Sequence, residues 1–199
     1  MAKDITPAII KEFRYIQPII DYEYQEVPIE SRWLGIWLGD GDSDKPTITN
    51  VDSELIQFIY DHAQRVEMKV VKNNIHYKTT ENAPITKYNP NKLRIKLCEL
   101  NLIKNKHIPD IYLYNSRDVR LELLAGLIDT DGHLSSGTYE IIQKNTRLAN
   151  DIQVLANGLG FFTRCVDKEC CATNTEAKIK RIYKRITIYP NHNSPTFHY

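Results

Sequence analysis

Two nine-residue stretches constrain this chain more than anything else in it. Leu124-Ala125-Gly126-Leu127-Ile128-Asp129-Thr130-Asp131-Gly132 is apolar through Ile128 and ends in acid-Thr-acid-Gly. Leu124, Leu127 and Ile128 stand at i, i+3 and i+4, the spacing of a buried helical stripe. Gly126 and Thr130 are four apart, so two small side chains share one face and a second helix backbone can come close. Gly132 can take the left-handed conformation that stops a helix. Asp131 then sits at the helix C-terminus, where the dipole opposes an anion by about 0.3–1 kcal/mol. A carboxylate set against its own helix dipole calls for a nearby cation. Trp33-Leu34-Gly35-Ile36-Trp37-Leu38-Gly39-Asp40-Gly41 has the same length, small residues at the same offsets (Gly35 and Gly39), and the same terminal Asp-Gly. Two such stretches in one chain predict a duplicated architecture.

Leu124 to Gly132 resembles the LAGLIDADG signature at every position but one, with Thr130 in place of Ala. Trp33 to Gly41 resembles the more divergent first copy found in homing endonucleases embedded in inteins. Lys106-His107-Ile108-Pro109, ahead of the second motif, and Asn157-Gly158-Leu159-Gly160, after it, are similar to further blocks of that subfamily. The resemblance covers Val27 to Pro190, most of the chain.

Composition sets looser bounds. At 199 residues, 42% hydrophobic and 26% charged, the chain suits one sizeable core or two small repeats sharing one. No apolar run approaches the length of a transmembrane helix. Met1-Ala2-Lys3-Asp4 opens no secretory leader, so an intracellular protein is expected. Cys98, Cys165, Cys170 and Cys171 lack zinc-ligand spacing and read as free thiols. The net charge of +1 is weak for a nucleic-acid binder, but it is unevenly spread. Residues 1–60 hold 5 Lys/Arg against 11 Asp/Glu, and the remainder hold 21 against 14. A basic face can therefore exist within a near-neutral total.

Read in order, residues 1–26 form an N-terminal arm with a short helix near Ala8 to Phe13, since Pro7 and Pro18 interrupt anything longer. Pro28 or Ser31 opens the first motif helix. A short strand follows at Thr47-Ile48-Thr49. Asp52 or Ser53 caps a second helix with a buried stripe of Leu55, Ile59 and Val66. Met68 to Lys72 and Ile75 to Thr80 form a hairpin about Asn73-Asn74. Lys92 to Leu102 is helical or, through Leu93 to Leu97, a strand. Lys104 to Asn115 connects irregularly to Ser116, which caps the second motif helix. His133 to Gln143 makes a hairpin turning at Ser136-Gly137, and Asn145 or Thr146 caps a helix through Leu159. Strands Phe161 to Val166 and Ile179 to Tyr189 flank a polar loop from Asp167 to Thr175. The fold expected is α+β: two pseudo-symmetric αββαββ(α) halves, 27–115 and 116–199, in one domain over 27–199. A central motif helix pair would carry saddle-like antiparallel sheets.

The chemistry follows from pairing the helices. Packed through Gly35/Gly39 and Gly126/Thr130, they bring Asp40 and Asp131 together. Carboxylates about 5 Å apart repel by roughly 3 kcal/mol at an effective dielectric near 20. A divalent cation between them removes that cost, and hard oxygen ligands suit Mg²⁺, with Mn²⁺ as a substitute. The resemblance implies that Asp40 and Asp131 are the metal-binding catalytic acids, with the carbonyls of Gly39 and Thr130 as adjacent ligands. Asp129, matched by Leu38 in the first copy, takes a local structural role. Lys106 is similar to the lysine near the active site of intein-type members. A second-half counterpart would fall beyond Tyr189, and none is evident. One face of the last strand holds Arg181, Tyr183, Arg185, Thr187 and Tyr189, suited to phosphate and base-edge contact. Lys69, Lys72, Lys78 and Lys144 can extend it. The function implied is a site-specific, Mg²⁺-dependent double-strand DNA endonuclease, a monomer on a long asymmetric target. The alternatives are a degenerate, non-cleaving DNA-binding module and an RNA-splicing maturase. His192-Asn193-Ser194 resembles an intein's C-terminal end but lacks the apolar run before it and a matching nucleophile at the start.

Overall fold

The computed structural model describes residues 19–171 and 180–190. In chain order the elements are α1 (Ser31–Asp40), β1 (Thr47–Thr49), α2 (Ser53–Arg65), β2 (Lys69–Asn73), β3 (His76–Thr80), α3 (Lys92–Glu99) and α4 (Asp110–Leu113). They continue with α5 (Arg117–Asp131), β4 (Gly132–Ser135), β5 (Thr138–Gln143), α6 (Thr146–Gly158), β6 (Phe162–Cys171) and β7 (Lys180–Tyr189). The expected helix at Ala8 to Phe13 and the His192-Asn193-Ser194 stretch lie outside the described residues.

The motif helices α1 and α5 form the centre. Trp33, Leu34, Ile36 and Trp37 on one, and Leu123, Leu124 and Leu127 on the other, have no exposed surface. A helix apolar on nearly every side is stable only when other elements surround it. The contact between the two is backbone on backbone. A Cβ placed on Gly35 would collide with the Leu123 carbonyl and lie 3.1 Å from the Cα of Gly126. One on Gly126 would collide with the Arg32 carbonyl and lie 2.8 Å from the Ile36 nitrogen. One on Gly39 would meet the Thr130 side chain. The Thr130 hydroxyl donates to its own helix, to the carbonyls of Gly126 (3.1 Å) and Leu127 (3.2 Å), and so remains paired inside this contact.

Each motif helix leads into an antiparallel sheet. The first sheet has order β1-β3-β2 and the second β4-β5-β7-β6. In the second, Gly132 pairs with Ile141 at the start of the β4–β5 ladder. In the first, Gly41 meets Ile48 in a single isolated bridge. The leading strand of the first half is thus reduced to one rung. The second half has the expected αββαββ order, whereas the first is αβαββ followed by α3. Helix α2 lies against the first sheet through Leu55, Ile59 and Ala63, and α6 lies against the second through Leu148, Ile152, Leu155 and Ala156.

Local chemistry explains most boundaries. Asp52 caps α2, accepting from the Glu54 nitrogen at 2.8 Å, and Asn145 caps α6, accepting from the Arg147 nitrogen at 3.0 Å. The β4–β5 turn places both Ser136 (φ 50) and Gly137 (φ 75) in the left-handed region, as a two-residue hairpin requires. Other expectations are corrected. Neither Ser31 nor Ser116 makes a side-chain cap bond. The residue before α1, Glu30, instead ties that helix to α2 through His62 (2.7 Å) and Arg65 (2.8 Å). Val66 is exposed, and His62, stacked on Trp33, takes its place in the buried stripe. Helix α3 stops at Glu99, three residues short of Leu102. Strand β6 continues to Cys171, so Asp167 to Cys171 is paired strand and not loop. Gly132 has φ −81, outside the left-handed region. It is glycine because a Cβ there would run into the Ile128 backbone as the chain turns from helix to strand.

The described part of the N-terminal arm is tied to the start of α5, the residue before its cap, and the end of α6. The Ile20 nitrogen donates to the Gly158 carbonyl (3.0 Å). The buried Asn115 side chain accepts from the Gln25 nitrogen (3.0 Å) and donates to the Gln25 carbonyl (2.9 Å). Arg120, buried on α5, donates to the Ile20 carbonyl and lies 5.1 Å from the centre of the Tyr22 ring.

The helix pair yields a stability test. In an ordinary helix, Gly→Ala stabilises by about 1 kcal/mol. At Gly126 the added methyl meets the partner's main chain, so Gly126→Ala is expected to destabilise by about 1–3 kcal/mol in urea unfolding. A neutral or stabilising outcome would contradict the close approach.

A paired-carboxylate candidate active site

The pairing of α1 and α5 decides where their last residues go. Asp40 and Asp131 end the two helices, both partly buried, and a Cβ on Gly39 would lie 3.5 Å from the Asp131 carboxyl carbon. Each carboxylate is held by an amide from the sheet on its own side. The Asn50 amide, one residue past β1, donates to Asp40 (2.7 Å), and the Gln143 amide, at the end of β5, donates to Asp131. Burial raises the pKa of Asp131 first, the Asp40 charge adds to it, and Lys106 and Gln143 oppose it. The outcome is a carboxyl pushed up to about 6. Asp40 is raised as well, by burial, against the Asn50 hydrogen bond and Lys106.

Lys106 comes from the connector between α3 and α4 and reaches the same place. Its Nζ donates to the carbonyls of Leu38 (3.0 Å), Gly39 (3.3 Å) and Gly41 (2.7 Å), and stands 5.1 Å from the centre of a Trp37 ring. It thereby caps the C-terminal carbonyls of α1, the negative end of that helix's dipole. Burial lowers its pKa to about 8, against the pull of Asp131, Asp40 and Asp42. The Gly39 carbonyl is therefore already engaged by an ammonium group. Thr130 lies across from Gly39 in the helix contact.

The donor set suits a hard divalent cation. The two carboxylates, with backbone carbonyls, offer only oxygen, and burial raises the pKa of both, with Asp40 adding to the rise at Asp131. Among the described residues no cluster of three or more His, Cys, Asp or Glu forms a metal cage. A cation held here would keep most of its waters, as Mg²⁺ commonly does. Asp129 points elsewhere: it pairs with Arg32 of α1 at 2.9 Å, a cross-link between the two motif helices.

The second sheet turns its outer face away from α6. Ladder partners fix the members of that face: His133, Thr138, Glu140, Arg164, Val166, Lys168, Tyr183, Arg185, Thr187 and, by alternation, Arg181 and Tyr189. Ile186 and Ile188 point the other way and are fully buried. Arg185 is paired on this face with Glu140. Lys184 is on the inner face and pairs with Asp167 at 2.6 Å. On the first sheet, Lys69 and Lys78 share the outer face with Thr47 and Val71. Lys72 does not join them. It lies opposite Tyr77 on the other face, its ammonium 5.5 Å from that ring's centre. Lys144 is exposed in the link from β5 to α6.

A family model described as a LAGLIDADG-like domain matches residues 118–193. Residues 118–193 are thus a LAGLIDADG-like domain. The chain is 32% identical over 161 residues to the replicative DNA helicase DnaB of Mycobacterium intracellulare, a match over 80% of this chain and 24% of that protein. The chain thus spans about a quarter of the length of that curated relative. Its fold is similar to the crystal structure of I-DmoI, a homing endonuclease, in complex with DNA and Mn. The TM-score is 0.50 at 19% identity, over 80% of this chain and 88% of that one.

Within this LAGLIDADG fold, Asn50 and Gln143 are the site residues that sequence reasoning passed over. Both are neutral amides at strand ends, and no motif distinguishes them. Their one signal is positional, since each follows a motif aspartate at a similar distance (10 and 12 residues).

The raised pKa of Asp131 makes a signed prediction. Its folded-state pKa lies above the unfolded value, so ionisation opposes folding. The penalty is absent below about pH 4 and complete above about pH 6. Asp131→Asn removes it, and we expect the metal-free variant to be more stable than wild type by about 1–2 kcal/mol at pH 7.5, allowing for partial exposure. The difference should vanish near pH 4; urea unfolding at both pH values would check it. For Arg185→Ala, weaker duplex binding is expected, with a log K against log salt slope shallower by about 0.9. An unchanged slope would place Arg185 off the phosphate path.

Proposed function

We propose that this chain is a site-specific double-stranded DNA endonuclease that uses a divalent cation, Mg²⁺ or Mn²⁺. The observation that carries the reading is the pair of partly buried carboxylates at the tips of the two motif helices. Each accepts a hydrogen bond from a side-chain amide of its own half, and the Lys106 ammonium, bonded to the α1 carbonyls, acts electrostatically on both. Such an arrangement raises the energy of the empty site and lowers it when positive charge arrives.

Asp40 and Asp131 would hold the cation, with the carbonyls of Gly39 and Thr130 beside them. When bound, it supplies Lewis-acid activation of a phosphodiester and of a water. The chain's own residues do the rest. Asn50 and Gln143 fix the orientation of the two carboxylates. Lys106, charged below about pH 8, offers positive charge to the phosphorane-like transition state. The outer sheet faces hold the duplex on either side, with Arg164, Arg181, Arg185, Tyr183, Lys69 and Lys78 toward phosphates and base edges. Two non-identical halves in one chain favour a monomer on a long, asymmetric target. The DNA- and metal-bound form of I-DmoI supports this reading by its fold. The match to one quarter-length stretch of a replicative helicase supports an intein-type origin, an endonuclease carried inside a host protein. The single endonuclease domain then runs over residues 27–199.

The test is cleavage of a duplex DNA library with and without Mg²⁺. We expect metal-dependent double-strand cuts at one class of site. Asp40→Asn and Asp131→Asn should each lower cutting at least ~100-fold while site binding is kept. Specific binding without any cut product would favour a recognition module that has lost catalysis. Preference for a structured RNA over every duplex would favour a maturase.

A further inference from the structure

Lys106 reaches the paired carboxylates from the connector between α3 and α4, which has neither helix nor ladder of its own. A lysine side chain is a flexible four-carbon stem with a strongly hydrated end, so one carried on a loose loop turns into water. Something must hold this backbone in place. On one side the Lys104 nitrogen donates to the Ser43 carbonyl (2.6 Å), in the link that follows α1. The remaining holds come from the other half of the chain. The Asn145 side-chain amide donates to the Lys106 carbonyl at 2.7 Å, and the Ile108 nitrogen donates to the Asp151 carboxylate at 3.0 Å. Between these two bonds His107 is buried, its Nδ1 2.7 Å from the Asn105 carbonyl, and Ile108 is buried as well. Asn145 is the cap of α6 and Asp151 lies within it. A helix of the second half therefore clamps the main chain on both sides of a first-half lysine.

The pseudo-symmetric helix shows that neither group is there for the helix itself. Helices α2 and α6 have thirteen residues each and start at Ser53 and Thr146, so an offset of 93 aligns them. Asp52 then matches Asn145, and Phe58 matches Asp151. Capping needs only an acceptor. Asp52 caps α2 with a carboxylate, and Asn145 caps α6 with its Oδ1, accepting from the nitrogens of Arg147 (3.0 Å) and Leu148 (3.3 Å). The Asn145 amide nitrogen has no part in the cap, and it is the atom that bonds to Lys106. The residue matching Asp151 is an aromatic ring that stacks on His62. A donor and an acceptor have thus been placed on α6 alone, the one helix of the pair with the Lys106 connector beside it.

Resting on the nuclease reading above, we propose that Asn145 and Asp151 are positioning residues for phosphodiester cleavage. Through them α6 holds the connector so that the Lys106 ammonium stands at the end of α1, beside the two aspartates. They act through Lys106 and not on the duplex.

The double role of Asn145 supplies the variant. Asn145→Asp keeps a capping acceptor and removes the donor to Lys106. Asp151→Ala removes the acceptor for the Ile108 nitrogen, and Asp151→Asn restores one. Three measurements are made: amide hydrogen exchange over residues 106–108 in the metal-free protein, binding of the duplex recovered from the library, and its single-turnover cutting with Mg²⁺. Asn145→Asp and Asp151→Ala should keep the far-UV circular dichroism and the duplex affinity. Exchange over 106–108 should speed up by about 5- to 10-fold, as loss of one hydrogen bond implies. The cutting step should slow by about 10- to 100-fold, the effect of a displaced group at a reacting centre. Asp151→Asn should match wild type in both. In a Lys106→Ala background, Asn145→Asp should cause no further loss of cutting, because its effect runs through the missing side chain. Unchanged exchange in Asn145→Asp and Asp151→Ala, or an added loss in the Lys106→Ala background, would overturn the positioning role and leave the nuclease reading standing. Wild-type protein that cuts no duplex with Mg²⁺ would overturn both.

Discussion

The whole arrangement depends on two helix backbones touching. Gly35 against the Leu123 carbonyl, and Gly126 against the Arg32 carbonyl, leave no room for a Cβ on either side. That approach is what brings the last residues of α1 and α5 into one site. Ordinary side-chain packing would set the axes 8–10 Å apart and separate the two carboxylates accordingly. The surrounding apolar residues, Trp33, Trp37, Leu123 and Leu127, then fill the space around a contact that has no side chains of its own.

Bringing two acids together has an energetic consequence that the rest of the site manages. Asp131 is pushed up to about 6 by burial and by Asp40, so its charged form strains the fold at neutral pH. Asn50, Gln143 and Lys106 reduce the strain without removing it. Lys106 is drawn in mainly by carbonyl oxygens at the end of α1 and stays well below its ordinary pKa because it is buried. The site is thus poised for added positive charge, at a cost in stability to the empty protein. Asp129, two positions earlier, shows the contrast: paired directly with Arg32, it locks the helices together.

Symmetry is strong at the helix pair and weak at the sheets. The Gly41↔Ile48 bridge and the Gly132↔Ile141 pair occupy the same place in the two halves, yet one is a lone rung and the other opens a four-stranded sheet. The second half alone extends its final hairpin past its covering helix. Duplication therefore preserved the pairing of the two motif helices and their terminal carboxylates and let the sheets diverge, because strand length at a sheet's outer end is not constrained by the helix contact.

The helix pair, its small-residue faces, the two acids and the order of most elements were legible in the chain alone. Helical periodicity and a repeated motif are local patterns, and the Asp52 and Asn145 caps act within three residues of themselves. Other features were not legible, because they depend on what lies across from a residue. The glycine at 132 looked like a left-handed stop, but it is a site where the chain passes its own helix. Lys72 looked equivalent to Lys69 and Lys78, and the β2–β3 register turned it to the opposite face. Asn50 and Gln143 carried no signal until the fold set them against the aspartates. The run Asp167 to Cys171 is polar enough to read as loop, and only pairing with Lys180 to Lys184 makes it strand. Patterns of period and spacing name the elements and the paired acids. Which groups face one another is settled by register and packing, which no stretch of sequence contains.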